Sequence, residues 1–321
     1  MYLKYNDQNK NTMGKGIDLN DIVLSRTSIE EYIKSPHFWF IKRVLGLNDN
    51  PGPGWPLNSQ VDNMAKSTND FYRENKKTPK LLQENELLLA NIDELSSWRN
   101  INGMKYFDEN RNVTICGGID DLYLNSKGEY VIIDYKSTST QKRILQQSDV
   151  FNNGEIYKRQ LEIYKWILEN KKLKMSSIGY LHYFNASTIR QDFNFNLKFE
   201  ETLVPIELDT SWIDPIIDEM LLVIKNNTCP PMNDKCDRCI YMTNYNYLLD
   251  PKNENEIKKI NYSKKTMKEI KNDLISLYDY NEKELKKLKK DDLLDLIYEK
   301  LNENENKRNQ IFDMLNTNIV F

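Results

Sequence analysis

The stretch from Gly117 to Thr138, GGIDDLYLNSKGEYVIIDYKST, constrains this chain more than any other. It reads as two strands joined by a hairpin turn at Asn125-Ser126-Lys127-Gly128. The second strand carries Val131-Ile132-Ile133, apolar on both faces, which predicts a central strand covered on both sides. That strand closes on Asp134-Tyr135-Lys136, and strand alternation puts Asp134 and Lys136 on one face. Charges at the end of a buried strand need partners, because burying them alone is costly. An antiparallel neighbour can bring Asp120 beside them. Two carboxylates, the backbone carbonyl of Tyr135 and waters make an all-oxygen set suited to magnesium, with Lys136 left to orient water or to meet charge developing on a phosphate. Taken alone, Asp-x-Lys at a strand end is also a plain ion pair. The pattern around it decides between the two readings.

Around this centre the periodicity alternates between helix and strand. In SIEEYIKSPHFWFIKRVLGL, apolar residues recur at helical spacing, Ser28 with Glu31 has the form of a capping box, and Pro36 divides the run into two short helices. NDNPGPGWP is a loop by composition. Helices are predicted over 59–75 and 80–94, and a meander of three strands over 101–107, 112–124 and 129–136. A helix follows over 154–170, then strands over 177–184 and 200–205 and a helix over 211–225. The order implies an α/β fold with a mixed central sheet flanked by helices.

The ordered set Gly-x-x-Asp (Gly117 to Asp120), Asp-x-Lys (Asp134 to Lys136) and Gln-x-x-x-Tyr (Gln160 to Tyr164) resembles the PD-(D/E)xK nuclease superfamily, in particular its RecB-like branch with the CRISPR-adaptation nucleases. Positions i and i+4 share a helix face, so Gln160 and Tyr164 can both face the site. LSRTSIEEYIKSPHFWFIKRVLGL resembles the family's opening helix, with Ser35 where many members have cysteine. The resemblance covers about residues 22–245. It implies a restriction-endonuclease-like core and hydrolysis of DNA phosphodiester bonds with Mg2+ or Mn2+. Asp120 and Asp134 would hold the metal, Lys136 would position the attacking water, and Gln160 and Tyr164 would support the site. Many relatives carry a metal-binding histidine on an early helix. LNSQVDNMAKSTNDFYREN has none, and Asp62 falls about where it would stand, with Asp70 as the alternative oxygen ligand.

Iron–sulfur members use one cysteine near the N-terminus and three near the C-terminus. Ser35 removes the first, and no cysteine follows Cys239, so an iron–sulfur cluster is not expected. Cys229, Cys236 and Cys239 could hold a structural metal only with a fourth ligand, and thiols packing a loop are the preferred reading. Cys116 is expected to be buried in the catalytic hairpin.

The domain layout expected is a loose segment 1–20, the nuclease domain 21–250, a linker 251–261, a small helical module 262–304 and a tail 305–321. The module loosely resembles SAP-type DNA-binding helices, with Leu274, Leu277, Leu285, Leu288, Leu293, Leu294 and Ile297 as its core, and a helical tail or partner-binding hairpin is an equal alternative. Net charge is −3, so contact with DNA must come from a local cleft rather than a global basic field. The polar N-terminus lacks the apolar segment of a signal peptide, and no run suits a bilayer, so an intracellular protein, cytoplasmic or nucleoid-associated, is expected. There is no Walker-type loop, so any helicase would act in trans. The competing reading is a nuclease fold without turnover, serving as a DNA-binding or assembly module.

Overall fold

A computed structural model describes residues 16–47, 54–100, 103–140, 144, 146, 149, 154–186, 197–234, 236–249 and 254–317. Residues 1–15 of the expected loose segment 1–20, most of the Pro/Gly loop (48–53) and the last residues of the tail (318–321) lie outside these. The chain divides into two compact units, Met1–Met232 and Asn233–Phe321.

The first unit opens with β1 (Ile22–Ser25), α1 (Arg26–Lys34) and α2 (Pro36–Trp39), the last running into a π-helical turn over Phe40–Val44. The two short helices meet at Ser35–Pro36 as the proline requires. The cap differs from expectation. Ser25, not Ser28, caps α1 by accepting from the Ser28 N–H, so the helix starts earlier. The Ser28 hydroxyl is instead buried and accepts from the Trp39 indole at 2.8 Å. Ser35 caps α2, which gives the residue standing in place of the family's cysteine a local structural task.

Next come α3 (Pro56–Glu74), α4 (Lys80–Glu84), β2 (Leu88–Leu89) and α5 (Leu95–Trp98). The helix expected over 80–94 is therefore only one turn and a half. Glu86 takes a left-handed backbone (φ +56°), and Leu88–Leu89 pair with the strand carrying Tyr123 and Leu124. Tertiary pairing overrides the local helical pattern there.

The strands that follow are β3 (Met104–Asp108), β4 (Val113–Gly117), β5 (Asp121–Leu124) and β6 (Tyr130–Thr138). The expected single strand over 112–124 is thus two, broken at Gly118–Asp120, and they belong to different sheets. One sheet has order β1-β4-β3, with β1 parallel to β4. The chain continues through α6 (Gly154–Asn170), β7 (Ile178–Ala186), β8 (Phe199–Glu207) and α7 (Ile213–Asn226). The larger sheet is mixed, with order β2-β5-β6-β7-β8, β6 parallel to β7 and its other pairs antiparallel. This is the mixed α/β architecture expected.

β6 is the middle strand of the five, and Val131, Ile132 and Ile133 are buried as their unbroken apolar run requires. Ile132 joins the main core with Leu161, Ile167, Leu181 and Val204, while Val131 and Ile133 join a second cluster with Ala65, Leu82 and Tyr123. Each such side chain contributes about 1.5–3 kcal/mol by leaving water.

Beneath β5 lies a buried ionic cluster. Asp121 is fully buried and is met by Arg73, by Arg99 at 3.5 Å, by the Tyr135 hydroxyl at 2.6 Å and by Asn69 at 3.3 Å. Asp70 pairs with both arginines at 2.8 and 2.5 Å.

The second unit contains α8 (Asp237–Leu249), α9 (Glu254–Lys264), α10 (Met267–Tyr278), α11 (Glu282–Leu285) and α12 (Lys290–Thr317). Its small core is Ile270, Leu274, Leu285, Leu293, Ile297 and Leu301. Leu288 and Leu294 pack against it partly, but Leu277 is 63% exposed and is not a core residue. It stands on the outer face of α10, three residues past Leu274. No helix among the described residues is long and apolar enough to cross a membrane.

Removing one member of a buried ion cluster strands the others, so Asp121→Ala should destabilise the first unit by about 3–5 kcal/mol. Urea unfolding followed by tryptophan fluorescence measures this, and a loss below about 1 kcal/mol would contradict the assigned role.

Candidate active site

β5 pairs with β6 only as far as Asp121 opposite Ile133. Past that point β6 runs on alone along this edge while still paired to β7 on the other. The freed Tyr135 N–H donates to Asp120 Oδ2 at 2.8 Å. One hydrogen bond therefore fixes the carboxylate that precedes β5 against the strand that carries Asp134 and Lys136. In a strand, a residue's N–H and C=O point to the same side, so the Tyr135 carbonyl also faces Asp120.

Asp134 is buried. Its Oδ1 accepts from Gln160 Nε2 at 2.7 Å, and the same amide donates to the Tyr164 hydroxyl at 3.1 Å. Oδ2 lies against the Lys136 ammonium without a properly directed hydrogen bond. Lys136 also sits over the Tyr157 ring, 4.5 Å from its centroid. Asp134 and Lys136 thus share a face, and α6 presents Gln160 and Tyr164 one turn apart toward Asp134.

From the opposite side α3 supplies Asp62 and Lys66. Lys66 bridges Asp62 at 2.7 Å and Asp120 at 2.9 Å. The second Asp62 oxygen, Oδ1, is buried with no hydrogen-bond partner. Asp62, Asp120, Asp134, Lys136 and Gln160 line one depression of about 380 Å3. Asp70, the alternative to Asp62, is engaged by Arg73 and Arg99 and does not line it.

The electrostatics follow from this crowding. Burial pushes the Asp134 carboxyl up to about 6; Lys136 pulls it down and Asp120 raises it further. Burial also raises Asp62, with Asp120 adding to the rise and Lys66 opposing it. For Lys136, burial acts downward, but the facing carboxylates of Asp134 and Asp120 raise it above the usual lysine range.

The glycines before Asp120 are steric necessities. A Cβ on Gly117 would lie 2.6 Å from the Tyr164 ring, and one on Gly118 would lie 2.6 Å from the Asn100 carbonyl oxygen. Arg99 then holds the Asp120 carbonyl at 3.0 Å, and Ile119 N–H donates to the Trp98 carbonyl at 3.1 Å.

Lys66, Asn69, Arg73 and Arg99 were not foreseen. A signal existed for three of them. Asp62, Lys66, Asn69 and Arg73 stand at i, i+4, i+7 and i+11 of α3, a polar stripe that reads as a solvated face but turns inward.

None of the four cysteines is in a disulfide, and Cys116 is buried on β4. Cys229 lies 3.4 Å from His37 Nδ1, and in the second unit the Cys239 N–H donates to Cys236 Sγ. Among the described residues no three His, Cys, Asp or Glu side chains gather as a metal-holding group.

Residues 53–243 match the PD-(D/E)XK nuclease superfamily. The chain belongs to this superfamily. No curated protein matches. Among solved structures, the crystal structure of SSO0001 is similar at 15% identity over 67% of this chain and 81% of that one, with a TM-score of 0.25. Asp120, Asp134 and Lys136 lie within the matched residues, beside the stretch of β6 that the early end of β5 leaves unpaired.

Gly117→Ala should drive the Tyr164 ring away and cost about 1–3 kcal/mol through overpacking. Thermal denaturation checks the loss. An unchanged transition temperature would show that the contact is not tight.

Proposed function

We propose that the chain is a divalent-metal-dependent nuclease that hydrolyses DNA phosphodiester bonds. The observation that carries this reading is the convergence of Asp120, Asp134 and Lys136 on one open depression, beside a buried Asp62 oxygen with no hydrogen-bond partner. Orphaned acceptors of this kind are rare in native interiors and call for an ion. Hard oxygen donors suit Mg2+ or Mn2+. Asp120, Asp134 and the Tyr135 carbonyl would hold the ion, with Asp62 as a further donor. Such an ion supplies positive charge against the phosphate and acidity to water.

The chain's own residues do the rest. Gln160 fixes the rotamer of Asp134, and Tyr164 fixes Gln160. The Tyr135 N–H orients Asp120. Lys136 keeps its proton in the field of two carboxylates and so can orient a water or meet negative charge on a phosphate. Lys66 neutralises Asp62 and Asp120 until another cation takes that part.

The test is cleavage of end-labelled linear and of circular DNA with Mg2+ or Mn2+. Asp134→Ala and Lys136→Ala should each lower the rate by about 100-fold or more in protein that a melting curve shows to be folded at the assay temperature. A Lys136→Ala protein that cleaves at the wild-type rate would sink the assignment. Circular DNA left intact while linear DNA is degraded identifies an exonuclease.

The pH dependence follows from Asp134. With its carboxyl at about 6, the group is protonated below that pH and must lose the proton to bind metal. Metal affinity should therefore be level well above pH 6 and weaken by up to about tenfold per pH unit below it. Calorimetric titration with Mn2+ between pH 5 and 8 measures this, and affinity independent of pH across that range would contradict it.

A further inference from the structure

A second depression, of about 460 Å3, shares no lining residue with the first and serves none of the roles assigned so far. Arg26, Arg43 and Arg99 line it, and no acidic residue does among the described residues. Gly117 and Gly118 add backbone to its lining. Tyr164 links the two sites, lining this depression while its hydroxyl accepts from the amide that orients Asp134.

The three arginines are not equivalent. Arg99 is held by Asp70 and by the Asp120 carbonyl, and Arg43 by Glu31 at 2.6 Å. Arg26 is held by the Tyr164 hydroxyl, and its charge also reaches Asp134. It is also the first residue of α1, a nine-residue helix whose opening residues Ser25, Arg26 and Thr27 all line the depression. Of its first-turn N–H groups, that of Ser28 is already taken by Ser25 Oγ, so the arginines carry the positive charge of this depression. Three guanidinium groups lining one depression, with no acidic residue in that lining among the described residues, point to one kind of ligand, a compact oxyanion.

We propose that this depression binds a phosphate group of a nucleic-acid strand, with Arg26 as its principal contact. The proposal rests on the nuclease reading for the identity of the strand. It adds a positioning subsite that sets where along the strand the scissile bond falls. The phosphate is either a terminal one or one internal to the backbone, and the chemistry of recognition is the same for both.

The experiment uses the full chain without divalent metal. Fluorescence anisotropy measures binding of one single-stranded oligonucleotide in three forms: 5′-phosphorylated, 3′-phosphorylated and unphosphorylated. Arg26→Gln should weaken binding about tenfold and reduce the salt slope by about one, as expected for one lost charged phosphate contact. Arg26→Lys should recover part of the loss, and inorganic phosphate should compete with the oligonucleotide for the wild type. Loss confined to one phosphorylated form assigns a terminal phosphate; equal loss with all three assigns an internal one. Both support the subsite.

Lys171→Gln, an exposed charge outside the depression, sets the size of a non-specific effect. An Arg26→Gln loss no larger than that of Lys171→Gln overturns the proposal. If Arg26→Gln does not fold by its melting curve, Arg43→Gln takes its place under the same criteria. Cleavage assays with Mg2+ run separately. An Arg26-dependent phosphate effect in a protein that never cleaves would remove the nuclease reading and leave the subsite. Normal cleavage with no Arg26 effect on binding would remove the subsite alone.

Discussion

An ionisable side chain stands where the fold can least tolerate one, on the middle strand of a five-stranded sheet. Ionised Asp134, surrounded by apolar atoms, would be costly without compensation. Its surroundings are organised to supply it. Gln160 donates to one oxygen, Lys136 sits against the other, and Tyr164 keeps Gln160 in place. The compensation is incomplete, because the second oxygen lacks a directed hydrogen bond. Asp134 therefore stays poised between burial, which raises its carboxyl, and Lys136, which lowers it.

The two faces of the β5–β6 pair carry different polar systems. On the α6 side the network is short and ends at the open depression. On the α3 side Asp121 is enclosed by Arg73, Arg99, Asn69 and Tyr135, with every partner accounted for. The first has the unsatisfied atoms expected of a functional site, and the second the satisfied ones expected of a structural cluster. They meet at Tyr135, whose hydroxyl serves the closed cluster and whose backbone serves Asp120.

The centre of the fold was readable because it depends on local rules. Unbroken apolar residues required a covered strand, alternation put Asp134 and Lys136 together, and i, i+4 spacing put Gln160 beside Tyr164. What escaped depends on partners distant in sequence. The segment 80–94 has a helical pattern, but β5 takes its middle as an edge strand. The run 112–124 reads as one strand, but Gly118–Asp120 carry the chain from one sheet to another. Lys66 and Arg73 look like ordinary solvated helix charges until a buried Asp121 and a crowded Asp120 are known to face them. The cap at Ser25 was missed because Ser28, which fits the same motif, is claimed by Trp39.

β4 ends at Gly117 in the three-stranded sheet and β5 begins at Asp121 in the five-stranded one. Asp120 is the last residue of the short bridge between them. Its carboxylate is tied to the larger sheet through Tyr135, and its carbonyl to Arg99 beside the bridge. The residue is thus a seam between two plates. The position of this carboxylate is therefore set by both sheets at once, and neither alone could hold it there.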